Sequence, residues 1–108
     1  MSIEWGLKGG LYIEGGQAGS LKNWTLTEVC APSQKGAITY RKVKSWKLEV
    51  LKYLLKENIT GKEVTIKLLQ RNNYFICKGK LIDGPYVVGE ATKGPLKLEV
   101  TQCQVKFK

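Results

Sequence analysis

Few side chains in this sequence could perform catalysis, and histidine, the commonest general base and metal ligand, is missing. The three cysteines, Cys30, Cys77 and Cys103, are too few and too widely spaced for a four-ligand zinc site built from close pairs. Asp83 and eight scattered glutamates form no recognisable acid pair of the kind that glycosidases use. We therefore predict a protein that is not an enzyme and has no catalytic, cofactor-binding or metal-binding residues. Its thiols are expected to be reduced and mostly buried.

Glycine-rich segments are candidates for loops that bind phosphate. Residues 6–10 and 15–20 are rich in glycine, but neither ends in the Gly-Lys-Ser/Thr sequence of a phosphate-binding loop or lies between a strand and a helix. Turn glycines explain both segments better, so no small-molecule substrate is expected.

The basic residues are more informative, because 18 lysines and arginines against 9 acidic residues give a net charge of +9 over 108 residues. Such an excess favours acidic partners, nucleic acid among them. Lys67, Lys78 and Lys80 fall on predicted strands, where they form a candidate polyanion-facing surface with Tyr74 as a base-stacking residue. The alternative is a solvated sheet face on which lysine prevents incorrect edge pairing. Both interpretations stay open, although a content of only two arginines weighs against the first.

Period-two alternation of apolar and polar residues predicts that most of the chain is β-strand. The alternation is clear in residues 22–30, 64–68 and 74–83, and residues 71–73 join the last two as a hairpin. The apolar side of the final strand changes parity near Thr101-Gln102, which predicts a β-bulge there.

One segment departs from this period. Apolar residues from Trp46 onward follow the spacing i, i+4, i+7 and i+8 without an intervening glycine or proline, which predicts a helix over about residues 48–57. The fold class is therefore expected to be α+β, mainly antiparallel β, in a single domain covering residues 1–108.

Several segments are predicted to lie outside these elements or to fill the core. Residues 1–8 are expected to form a flexible, glycine-rich amino-terminal arm, and residues 31–36 a polar loop. Trp24 and Trp46 are assigned to the core, whereas Trp5 has no core periodicity and is expected either to dock on a neighbouring subunit or to be disordered. No secretory signal or apolar run long enough to span a membrane is visible.

The order of the predicted elements, strands with one small helix among them, resembles that of the tail tube proteins of long-tailed bacteriophages. Residues 11–16 and 21–27 resemble the opening strands of that family, and residues 61–68 and 74–82 are similar to its central strands. Residues 96–107 match its closing strand in position, with Cys103 and Val105 where the family has glycines. The resemblance covers almost the whole chain and rests on pattern and order.

This resemblance implies a small β-sandwich or barrel with one flanking helix, located in the virion tail and made in the host cytoplasm. Subunits of such tubes, which are related to type VI secretion tubes, form rings that are expected here to be hexameric. The rings stack around a channel for DNA. The implied partners are copies of this chain, other tail proteins and DNA bound without sequence specificity, with no membrane involved. The candidate inter-subunit contacts are Trp5, Leu7, Tyr40 and Arg41.

Two alternatives remain. One is a small basic β-barrel that binds single-stranded nucleic acid, and the other is a different phage tail component with the same fold, such as a terminator or baseplate ring. Lysines lining a channel would hold DNA that must slide, so a tube requires most of the lysines to face away from its lumen.

Overall fold

The computed structural model describes residues 3–36, 38–82 and 86–107, and within residues 31–35 and 38–42 it describes the backbone alone. Neighbouring strands are antiparallel and close into a barrel of order β1-β2-β3-β6-β5-β4. No helix occurs in the described residues, and hence none that could cross a membrane. The strands are β1 (Ile3–Ile13), β2 (Gly16–Lys35), β3 (Ile38–Leu55), β4 (Val64–Leu69), β5 (Asn73–Leu81) and β6 (Thr92–Phe107).

The prediction of an α+β fold with a flanking helix over residues 48–57 is wrong, because this segment lies in β3 and the turn after it. Leu48 and Val50 face the core, but the phase then shifts and Tyr53 and Leu55 face it instead. Each half of the strand alternates with a period of two, but the shift of one residue between the halves gives the apolar residues the spacing of a helix. Strand pairing on both sides of β3 then overrides the helix-forming tendency of its leucines, lysines and glutamates.

The barrel interior is filled by aliphatic side chains around one large aromatic residue, Trp24. Its side chain is 1% exposed, and its ring meets the ring of Phe75 edge-on with centroids 6.0 Å apart. Trp46 is half-buried and packs against the same core, so both tryptophans lie where the sequence predicts. The most deeply buried aliphatic residues are Leu11, Leu21, Leu48, Leu55, Ile59, Ile66, Leu68, Leu96 and Leu98.

Two local predictions are confirmed. Strands β4 and β5 form a hairpin in which Leu69 pairs with Tyr74 across the expected turn. The predicted bulge also exists, because Lys78 pairs with Gln102 whereas the next residue, Gly79, pairs with Val100. The extra residue on β6 moves its apolar side from one parity to the other.

The barrel is closed at one end and splits at the other. Strand β1 pairs with β4 only from Lys8 to Tyr12, and β3 pairs with β6 only from Trp46 to Tyr53. Beyond these points the strands continue in separate groups, and the radius of gyration is 14.7 Å where a compact chain of this length has about 13 Å. We call this region the open end; it comprises residues 3–7, 28–35, 38–45 and 101–107.

Two segments expected to be irregular belong to this open end. Of residues 1–8, expected to form an arm, residues 3–7 are the part of β1 in the open end and Lys8 continues β1 into the closed part. Residues 1 and 2 lie outside the described residues. Residues 31–35, expected to be part of a loop, continue β2 and pair with residues 38–42 of β3.

Candidate functional site

The outer face of β1 at the open end carries three large apolar side chains. Ile3, Trp5 and Leu7 alternate along the strand and are 58%, 69% and 66% exposed. On the neighbouring strand β2, Thr27 and Thr25 lie directly opposite Ile3 and Trp5 and leave them uncovered. We call these three residues the apolar stripe.

A groove of about 780 Å³ separates this stripe from the turn between β4 and β5. Trp5 and Leu7 line one side of it, and Arg71 lies on the other. The side-chain amide of Gln70 donates hydrogen bonds to the carbonyl oxygen of Trp5 at 2.9 Å and to Oε2 of Glu4 at 3.0 Å. These bonds hold β1 to the turn between β4 and β5, although β4 does not pair with residues 3–7 of β1.

The predicted inter-subunit contacts therefore lie on two parts of the open end. Trp5 and Leu7 are exposed on β1. The backbones of Tyr40 and Arg41 lie in β3, opposite Ser33 and Pro32 of the hairpin, while their side chains fall outside the described residues. Their role as contacts stays a prediction.

The lysines predicted to face a polyanion lie on the outer faces of β4 and β5. Lys67 is half-buried, and its Nζ lies 4.7 Å from the centroid of the Tyr74 ring, a cation–π contact. Lys78 and Lys80 are exposed, and Lys80 is directly opposite Glu99 on β6. Lys67 and Lys80 therefore each have a partner or an opposing charge within the chain, and the predicted base-stacking ring of Tyr74 is already in contact with Lys67.

Sequence reasoning missed a second group of lysines, which the strand pairing brings together. Lys8 on β1 is opposite Lys22 on β2, Lys22 is opposite Lys52 on β3, and Lys52 is opposite Lys93 on β6. All four are exposed. We call them the lysine row. They are far apart in the sequence, and only the register of four strands makes them neighbours, so no sequence motif could have revealed them.

Two of the three cysteines also meet across strands. Cys77 on β5 is directly opposite Cys103 on β6, and their Sγ atoms are 2.6 Å apart. The hydrogen bond between them lowers the pKa of Cys103, whereas that bond and burial raise the pKa of Cys77. The contact therefore favours a thiolate on Cys103 over one on Cys77.

Within the described ranges, no three or more histidine, cysteine, aspartate or glutamate residues lie close enough together to hold a metal ion. The site offers instead an uncovered apolar stripe with a groove, a row of cations and a thiol pair. The chain matches no protein-family model, no curated protein and no solved structure.

Proposed function

We propose that this protein is a structural subunit that assembles with copies of itself into rings and stacks of the tail tube kind, through which DNA passes. The observation that carries the proposal is the open end, where an uncovered strand edge bears the apolar stripe. The order of strands predicted from the sequence, which resembles tail tube proteins, supports the same function, although the helix that this resemblance also implies is a strand in the described residues.

The edge of β1 at residues 3–7 offers backbone groups for pairing, apart from the carbonyl oxygen of Trp5, which already accepts a hydrogen bond from the Gln70 side chain. Within the part of the chain that the structure describes, no strand pairs with this edge on the side of β4, and five residues of strand extend over about 17 Å. Free edges of this kind pair readily with another chain, and three exposed apolar side chains strengthen the tendency. From Lys8 to Tyr12, β1 pairs with β4 and closes the barrel, so β1 has no free edge there.

A second copy of the chain is the partner that best fits this edge. Residues 101–107 of β6 form another uncovered edge at the same end, on the side facing β3, and they expose Val105 and Phe107. Contact between the β1 edge of one copy and the β6 edge of the next would join two different surfaces. Such head-to-tail contacts close into rings when the rotation between copies permits.

The net charge sets the conditions for this assembly. Copies that each carry +9 repel one another, and salt screens that repulsion over about 10 Å at 0.1 M. Assembly of the pure protein is therefore expected to increase with salt concentration.

Sedimentation velocity and negative-stain microscopy test the proposal over a range of protein and salt concentrations. We expect rings, and stacked rings at high protein concentration. Rings that never stack would indicate a terminator or baseplate ring instead. A monomer under every condition would contradict self-assembly.

A pair of variants tests the surface itself. In the double variant Trp5→Ser/Leu7→Ser we expect at least a tenfold higher concentration for half-assembly, with an unchanged thermal transition. The matched control is Leu51→Ser, which removes an apolar side chain that is 60% exposed on β3, outside the open end. Equal weakening by both variants would place the contact elsewhere.

A further inference from the structure

The lysine row sets like charges against one another, which lowers stability. Directly opposite side chains start about 5 Å apart, well within the screening length of about 10 Å at 0.1 M salt, so the repulsion persists in ordinary buffers. No carboxylate of the described residues forms an ion pair with any of the four, since the one ion pair found there joins Lys47 to Glu49. The charge is therefore not neutralised by described parts of the chain.

The same outer face shows a different pattern farther along β3 and β6. There Glu49 lies opposite Lys97, and Lys47 lies opposite Glu99. In this part of the face, each lysine lies opposite an acid, an arrangement that stabilises the sheet. The lysine row is the exception on this face, and it calls for a reason other than folding.

Protection of a strand edge is not that reason. Lysine often guards free edges against incorrect pairing, but Lys8, Lys22 and Lys52 each lie on a strand that is paired on both sides at that level. These lysines have no edge to protect. An external anion would instead offset their mutual repulsion.

An aromatic ring lies beside the row. A groove of about 270 Å³ is lined by Lys8, Lys22, Lys67 and Tyr12. A Cβ atom at Gly10 would come within 3.0 Å of the Tyr12 ring, so the glycine allows that ring to lie across β1. Cations that follow a backbone, together with a ring on which a base can stack, are the elements of a site for single-stranded nucleic acid.

We propose that the lysine row and Tyr12 bind the backbone and a base of single-stranded nucleic acid without sequence preference. At about 4.8 Å between strands, the four lysines span roughly 14 Å, a line of cations suited to several successive phosphates rather than to one small anion. The site lies within one subunit, on the closed part of the barrel. It therefore does not depend on self-assembly.

Fluorescence anisotropy with a labelled oligothymidine tests the site in the full-length protein at salt concentrations from about 50 to 300 mM. The double variant Lys22→Gln/Lys52→Gln removes the middle of the row. We expect its affinity at low salt to fall on the order of tenfold. The slope of log affinity against log salt should also shrink by about 1.4, or 0.7 for each lost phosphate contact.

The matched control is Lys80→Gln/Lys97→Gln, which changes the net charge equally but removes lysines that lie opposite glutamates. We expect its slope to remain that of the wild type. If both double variants weaken binding equally, binding follows net charge alone and the site is refuted. Absence of binding by the wild-type protein at low salt would refute it as well.

Two further measurements separate nucleic acid from other polyanions. Tyr12→Ala should weaken oligothymidine binding about threefold or more without changing the salt slope, because stacking releases no counterions. Polyglutamate should compete poorly. An unchanged affinity in Tyr12→Ala, or displacement of the oligonucleotide by polyglutamate at equal charge concentration, would overturn the assignment. Thermal unfolding of each variant verifies that it is folded.

Discussion

The indole Nε1 of Trp24 donates a 2.7 Å hydrogen bond to the carbonyl oxygen of Lys8. This bond ties the largest residue of the core to the strand that carries the first member of the lysine row. The Trp24 ring also covers Gly6, where an added Cβ would lie 2.5 Å from Cζ2 of the ring. The outer-face lysine and the inner-face tryptophan are thus held by the same short stretch of β1.

Gly6→Ala should destabilise the protein by about 1–3 kcal/mol, because the new methyl group meets both the Trp24 ring and the carbonyl oxygen of Leu69. Urea denaturation gives the change in the free energy of unfolding. Gly16→Ala is the control, since the nearest atom to its Cβ is 3.6 Å away. Equal effects at both positions would show that glycine flexibility, rather than the close contact, is responsible.

Trp24→Phe should cost about 1–3 kcal/mol, because it leaves the carbonyl group of Lys8 without its indole donor and removes ring volume from the core. The same denaturation measurement applies. A loss below about 0.5 kcal/mol would mean that this bond does not anchor β1.

Charge reversal in the lysine row should stabilise the free protein. Lys52→Glu places an acid between Lys22 and Lys93 and should raise the free energy of unfolding by about 0.2–1 kcal/mol at low salt. Lys97→Glu is the opposite control, since it sets a second acid against Glu49 and should lower stability. Both effects should shrink in high salt. A destabilising Lys52→Glu at low salt would show that the row is not under repulsion.

The thiol pair predicts unequal reactivity. Because the pKa of Cys103 is lowered and that of Cys77 is raised, Cys103 has more thiolate at a given pH and should react faster with iodoacetamide. Peptide mapping by mass spectrometry gives both rates.

Cys77→Ala tests the cause of that difference. Loss of the hydrogen bond should move the pKa of Cys103 upward toward its ordinary value, so the midpoint of its rate against pH should rise. The rate at Cys30 provides an internal control. An unchanged midpoint would show that the hydrogen bond to Cys77 does not lower the pKa of Cys103.

Sequence periodicity predicted much of the strand content, and its one large failure is instructive. Alternation located the β4–β5 hairpin and the bulge of β6 because each changes the order of apolar and polar residues over a few neighbouring positions. The change of phase within β3 also alters the order of apolar residues. However, apolar residues that alternate and shift once by one position have nearly the spacing of a helix. Only pairing with β2 and β6 distinguishes the two.

The candidate sites were accessible to sequence reasoning to different degrees. Trp5 could be named because it has no core periodicity, and Leu7 because it belongs to the same expected arm; both side chains are exposed. Lys67, Lys78 and Lys80 could be named as strand lysines, but their opposing residues could not. The lysine row could not be found, since its members come from four strands.

By itself, the sequence determined the absence of histidine, the excess of 9 positive charges and the alternation that makes strands. These are properties of composition and of nearest neighbours along the chain. The tertiary structure alone decided which lysines face acids and which face one another, and it left the edge of β1 uncovered at the open end. Register and closure are relations between distant segments, and a shift by one residue would reverse every such face.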